Sequence, residues 1–155
     1  MRIVFVCSGN ICRSPSAEVV MRALLRQDGL EQQVEVSSAG LGDWHVGEGL
    51  DRRSLAVLTS RGYDGERHRA RQFEPGWFSD HDLVVAMDAS HLRDLRKLAP
   101  TDAQDKVVLL MSYAGEDVDV PDPYYGGPQG FSDVLDMIER GCRGLVEAIR
   151  PQLTR

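Results

Sequence analysis

A chain of 155 residues is long enough to bury a sizeable core as one domain, without disulfide or metal staples. Its 24 acidic residues against 18 basic ones leave a formal net charge of -6. That balance argues against a general nucleic-acid binder, because affinity for a phosphate backbone rests on clustered Lys and Arg.

The predicted elements begin at once. Ile3-Val4-Phe5-Val6 reads as a buried strand, Cys7 to Arg13 as a small polar loop, and Ser14-Pro15 as a helix start. Ala17, Val20, Met21, Leu24 and Leu25 recur at helical spacing, and Asp28-Gly29 closes the helix. Val34 to Gly40 alternates as a second strand, and Gly40, Gly42 and Gly47 frame a loop carrying Trp44 and His45. Asp51 caps a second helix ending at Arg61-Gly62, with Leu55, Ala56 and Leu58 inward.

Asp82 to Met87 is a third buried strand, and Asp88 caps a helix running to about Leu98. Val107 to Met111 reads as a fourth strand, and Ser112 to Gln129 as a long irregular loop, a kind of segment that is often functional. The last helix is expected from near Phe131 to about Arg150, with Gly141 and Gly144 marking close packing. Strands alternating with helices, without hairpin signals, predict an α/β fold: a single domain, residues 1–155, with a parallel sheet covered on both faces. Ligands of such sheets sit at the carboxyl ends of strands, where the Cys7 loop lies.

That loop carries the chemistry. Between a strand end and a helix start, unpaired N–H groups and the helix dipole favour an anion. Cys7 and Arg13, with five residues between them, can face one oxyanion. A thiolate is a nucleophile, and a guanidinium offers two parallel donors to phosphate oxygens. A cysteine beside an arginine at a helix amino end has its thiol pKa lowered from ~8.5 to about 3.5–7.5. An isolated cysteine at a strand end is usually inert, so the argument for Cys7 rests on this context.

Cys7 and Cys12 also form a C-x4-C pair, but no second Cys or His pair at ligand spacing completes a zinc site, so no metal is expected. Three cysteines are odd for a disulfide framework, and the Met1 end carries no signal-peptide pattern, so a reduced, cytoplasmic protein is expected. No apolar run nears the ~18 residues of a membrane span. Thiolate attack on an aryl phosphate calls for a protonated acid at the departing oxygen, since a phenol has pKa ~10. Asp122, stiffened by Pro121 and Pro123 and followed by Tyr124 and Tyr125, is the candidate, although Asp beside Pro is also an ordinary turn residue.

Cys7-Ser8-Gly9-Asn10-Ile11-Cys12-Arg13-Ser14-Pro15 near the amino terminus, with Asp122-Pro123-Tyr124-Tyr125 near the other end, resembles the low-molecular-weight protein tyrosine phosphatases. The resemblance extends to Trp44 in its loop and to His68-x-Ala70-Arg71-Gln72. It implies a four-stranded parallel sheet, no metal or cofactor, and hydrolysis of phosphotyrosine proteins and small aryl phosphates through a phosphocysteine. Inorganic phosphate or other oxyanions would bind as product or inhibitor, and a monomer is expected.

By the same resemblance Cys7 is the nucleophile, Arg13 the clamp and Asp122 the acid that then serves as base. Ser8, Gly9, Asn10, Ile11, Cys12 and Ser14 complete the phosphate loop. Asn10 fixes its conformation, and Ser14 donates to the thiolate. Ser38 and His68 buttress Asn10, and Trp44, Tyr124 and Tyr125 line the cleft. Cys12 pairs with Cys7 on oxidation and guards it from sulfinic acid, while Cys142 only packs.

Relatives of one fold do different jobs. Thiol-linked arsenate reductases use further central cysteines, and none lies between Cys12 and Cys142. Protein arginine phosphatases of the same fold are the main alternative; they tend to carry threonine where this chain has Ile11. A phosphocarrier or non-catalytic phosphate-binding module would have no use for both Arg13 and Asp122.

Overall fold

The computed structural model describes residues 1–153. Four strands form one parallel sheet in the order β2-β1-β3-β4: β1 (Arg2–Cys7), β2 (Glu35–Gly40), β3 (Leu83–Ala86) and β4 (Val107–Leu109). The helices are α1 (Arg13–Gln27), α2 (Arg52–Ser60), the single turn α3 (Trp77–Asp80), α4 (Ala89–Leu98) and α5 (Pro128–Ile149).

Both faces of the sheet are covered because side chains alternate along each strand. Ile3, Phe5 and Cys7 point to one face, into a core shared with Val20 and Met21 of α1 and Ile138 and Leu145 of α5. Val4 and Val6 point to the other, against Phe73, Phe78 and Leu95 of α4. The near-continuous apolar run of β1 thus follows from two-sided burial.

From β1 the chain passes to β2 on one side and afterwards to β3 on the other. The carboxyl end of β1 is therefore the switch point of the sheet, where a crevice opens between diverging connections. Cys7 is the last residue of β1 and pairs in register with Gly40. A Cβ on Gly40 would stand 2.9 Å from the Ser8 carbonyl oxygen, so a side chain there would push the loop outward.

Several expected boundaries shift. The fourth strand stops at Leu109, and Leu110–Ala114 winds into a 3-10 helix that packs on α5. Leu110 and Met111 are fully buried there, away from the sheet ladder, and α5 makes room for them: a Cβ on Gly141 would meet Leu110 Cγ at 2.7 Å. Gly144 faces the Tyr113 carbonyl with no space for a side chain, so both helix glycines are close-packing sites. Helix α5 starts earlier than Phe131 because Pro128 takes its first turn. In α2 the inward small residue is Ser54; Ala56 is exposed. The turn of helix at Trp77–Asp80 has too few residues for periodicity to reveal it.

No helix among the described residues is long and apolar enough to cross a membrane.

Candidate active site

The loop between β1 and α1 is built around Asn10, the only non-glycine among the described residues with positive φ, at 60°. Left-handed backbone is costly for most residues and tolerable for Asn, whose amide can bond locally. Here the whole amide is engaged. Asn10 Nδ2 donates to Ser14 Oγ (2.8 Å) and to Ser38 Oγ (3.0 Å), and Oδ1 accepts from Arg71 N (3.0 Å).

His68 Nε2 lies 2.7 Å from the Asn10 carbonyl oxygen. A carbonyl only accepts, so Nε2 carries the proton. Burial holds the His68 pKa below its ordinary value, outweighing the opposite pull of that hydrogen bond, and keeps the ring neutral. Ser38 in turn donates to Glu18 Oε1 at 2.6 Å. Ser38 and His68 are thus both hydrogen-bonded to Asn10.

Cys7 Sγ is buried, 2.9 Å from Ser14 Oγ and 3.3 Å from the Asn10 amide nitrogen, which donates to it. Because Asn10 already donates to Ser14 Oγ, the single serine hydroxyl hydrogen is left for an acceptor, and Cys7 Sγ at 2.9 Å is nearer than the Ala39 carbonyl at 3.4 Å. Two donors thus stand within reach of one sulfur, at the amino end of a 15-residue helix. Cys12 differs: burial is the main cause that pushes its thiol up to about 12, against a lowering hydrogen bond from Ser54. One cysteine of the pair is therefore solvated by donors and the other is kept protonated.

Arg13 is 4% exposed, and its guanidinium is aimed by two acceptors: Nη1 donates to Asp88 Oδ2 (2.8 Å) and to the Val120 carbonyl (3.0 Å). Asp88 is the cap of α4, accepting from His91 N at 2.9 Å and Ser90 Oγ at 2.6 Å. Burial alone would raise its carboxyl; hydrogen bonds from Ser90 and His91, with Arg13, outweigh that and lower it to about 2. His91 is itself buried, with Nε2 2.9 Å from Ser8 Oγ, and both burial and the neighbouring Arg13 lower its pKa.

Neither Asp88 nor His91 was among the residues expected in the site. Their signal was positional: β3 lies beside β1, so the helix cap that follows β3 emerges at the same sheet edge as the loop that follows β1.

Asp122 Oδ2 lies 3.8 Å from Arg13 Nη2, and Oδ1 accepts from Tyr124 N at 3.0 Å, closing a turn stiffened by the flanking prolines. The turn is held from α2. Arg53 donates to the Tyr124 carbonyl at 2.9 Å and lies over the rings of Tyr124 and Phe131, 5.2 and 4.5 Å from their centroids. Arg53 is another residue the sequence did not single out.

Cys7, Arg13 and Asp122 open onto one cavity of about 410 Å³, whose floor includes Ser8, Gly9, Ile11 and Cys12. Its rim is aromatic: Trp44, 70% exposed, lines it together with Tyr124 and Tyr125, whose rings meet edge to face at 5.0 Å. His45 joins the wall, with Nδ1 2.8 Å from Glu48 Oε2. Asn10 and Ser14 lie behind the floor, fully buried. Cys142 is buried in α5, apart from the cavity, with Sγ 3.7 Å from the Ala17 carbonyl. No group of three or more His, Cys, Asp or Glu among the described residues could hold a metal ion.

The family model described as low molecular weight phosphotyrosine protein phosphatase matches residues 2–155. A low molecular weight protein-tyrosine-phosphatase of Streptomyces coelicolor is 57% identical, covering 98% of this chain and 95% of that one. Among solved structures, a protein tyrosine phosphatase from Entamoeba histolytica superposes with a TM-score of 0.94 at 34% identity, covering 98% of each chain. A Drosophila arginine phosphatase superposes with a TM-score of 0.90, also at 34% identity, covering 97% of this chain and 98% of that one. A match across nearly the whole chain, with a single-sheet fold that brings Cys7 and Arg13 to one cavity, assigns the chain to the low molecular weight phosphotyrosine protein phosphatase family.

Proposed function

We propose that the protein hydrolyses phosphotyrosine in proteins, and small aryl phosphates, by double displacement on Cys7. The observation that carries this reading is the convergence of Cys7, Arg13 and Asp122 on one cavity with an aromatic rim. The phosphoryl group lies in the loop, where backbone N–H groups and Arg13 hold its oxygens. The Cys7 thiolate attacks phosphorus, the bond to the phenolic oxygen breaks, and Asp122 gives that oxygen its proton. Water then attacks the phosphocysteine and passes a proton to Asp122; sulfur leaves as thiolate and inorganic phosphate departs. The dipole and the guanidinium stabilise the charge on the equatorial oxygens in both steps.

Residues 1–155 act as one domain in this reading, and a reducing compartment keeps Cys7 competent. Cys12, on the floor of the same cavity, is the partner that captures an oxidised Cys7 as a disulfide.

The similarity to an arginine phosphatase favours phosphoarginine as the second reading. Ile11 on the cavity floor and the tyrosines on its rim support the first, since they offer an apolar bed to a phenyl ring. Peptides carrying phosphotyrosine, phosphoserine or phosphoarginine, given to the purified protein, separate the readings: turnover is expected on phosphotyrosine, and preferential release from phosphoarginine reverses the assignment. Cys7→Ser is expected to abolish turnover while retaining phosphate binding, and near-normal turnover by that variant would sink the mechanism.

A further inference from the structure

A second cavity lies apart from the catalytic cleft and exceeds it in volume. It measures about 620 Å³ and lies between the outer face of α1 and the segment 62–71. In a chain of net charge -6, five arginines line it (Arg22, Arg26, Arg67, Arg69 and Arg71) against two carboxylates. Those carboxylates, Glu18 and Asp64, are partly committed: Glu18 to Arg22 and Ser38, and Asp64 to the Glu66 amide. Arg71 is tied to the Ser38 carbonyl and Arg69 to the His68 carbonyl. The side chains of Arg26 and Arg67 are exposed and make no hydrogen bond or ion pair among the described residues.

So many guanidinium groups around one concavity repel one another unless an anion joins them. The planar, weakly hydrated guanidinium suits phosphate oxygens best, through paired donors. The volume falls within the range of about 300–1,000 Å³ typical of small-molecule sites and exceeds what a lone phosphate fills. From these features we infer that this cavity binds a small molecule bearing phosphate groups, at a site separate from the catalytic loop.

The site is built to be felt at that loop. Ser38 and His68 belong to its lining, and both are bonded to Asn10, the residue whose left-handed backbone shapes the phosphate loop. Arg71, also in the lining, donates its backbone N–H to the Asn10 side chain. An anion drawing Arg71 toward the cavity, or drawing Arg22 away from Glu18, therefore shifts the supports of Asn10, and through them Ser14 and Cys7.

The binding test uses the full-length Cys7→Ser protein, which turns nothing over, with inorganic pyrophosphate and fructose 1,6-bisphosphate as probes at constant ionic strength. Backbone amide NMR is expected to show two sets of shifts with separate saturation, one at 22–26 and 62–71, the other at 8–13. Arg26→Ala combined with Arg67→Ala should weaken the first set at least 10-fold and spare the second; both positions are exposed, so the fold is retained. Tighter binding of the bisphosphate identifies an organic phosphate as ligand, and tighter pyrophosphate binding identifies an inorganic one.

Shifts confined to 8–13, equal affinity in the double variant, or the same response to chloride overturns the site. In the Cys7 protein, saturating bisphosphate should change the kcat for an aryl phosphate at least 2-fold in a manner lost in the double variant, whose basal rate is unchanged. An indifferent kcat overturns the coupling through Asn10. Because binding is read without turnover, a failure of the phosphatase assignment leaves the first result standing.

Discussion

Buried Arg13 and partly buried Asp88 form a pair, Nη1 to Oδ2 at 2.8 Å, 75 residues apart in sequence and joined only because β1 and β3 are neighbours in the sheet. A buried guanidinium is strongly destabilising without a partner, so Asp88 both neutralises Arg13 and fixes where its second nitrogen points. Asp88→Asn keeps the shape and the α4 cap but removes the charge. We expect kcat for an aryl phosphate to fall about 10- to 100-fold with a smaller change in KM, because the clamp is lost chiefly in the transition state. Steady-state kinetics check this, and an unchanged kcat would show that Arg13 is aimed by Val120 alone.

The position of Asp122, 3.8 Å from Arg13 and held by the turn at Tyr124, sets a second expectation. Asp122→Ala should slow phosphotyrosine, whose phenol has pKa ~10, by about 10²- to 10³-fold. An ester of an activated phenol needs no proton on departure and should be slowed far less in the first step. Burst-phase kinetics on both substrates give the comparison; equal losses would remove Asp122 from the acid role.

The β1 strand, its loop and the helix after it were legible because one short stretch holds every signal: a two-sided apolar run, a glycine-containing loop and a Ser-Pro helix start. The Asp88 cap was legible as a cap but not as a site residue, because a cap motif carries no information about which strands are neighbours. Leu110 and Met111 misled in the other direction. Their apolar character is real and they are buried, but against α5, and local pattern does not distinguish burial in a sheet from burial under a helix. Arg53 was invisible for a third reason: an exposed arginine in a helix is ordinary, and its role depends on Tyr124, 71 residues away.

Oxidation offers a third test, since Cys7 and Cys12 share one cavity floor and differ in their surroundings. We expect peroxide to convert Cys7 to a sulfenic acid and Cys12 sulfur then to displace water from it, forming the disulfide. Burial keeps Cys12 protonated, with a pKa near 12, so this second step is expected to accelerate as pH rises. After brief peroxide exposure and reduction by dithiothreitol, the wild type should recover activity. Cys12→Ala should lose it irreversibly, with sulfinic acid on Cys7 by mass spectrometry. Equal recovery in both proteins would deny Cys12 that role.

His68 and His91 make stability depend on pH. Both rings have pKa values lowered from the ordinary 6.5, with burial the first cause in each. Around His68 stand Glu18, Arg69 and Arg71; around His91 stand Arg13, Asp88, Asp94 and Asp122. In the unfolded chain each histidine takes up a proton near pH 6.5, whereas the native state resists until a lower pH. The unfolded state therefore binds more protons in that interval, and stability that is fully present above pH 6.5 falls as pH drops toward the native values. The loss is at most about 1.4 kcal/mol per pH unit for each ring. Urea midpoints at pH 7.5, 6.5, 5.5 and 5.0 should decline below 6.5. His68→Gln keeps a donor where Nε2 stands and cannot titrate, so its decline should be shallower. An equal slope in that variant would assign the pH dependence to other groups, with Asp88 excluded because its carboxyl, lowered to about 2, acts only below about pH 4.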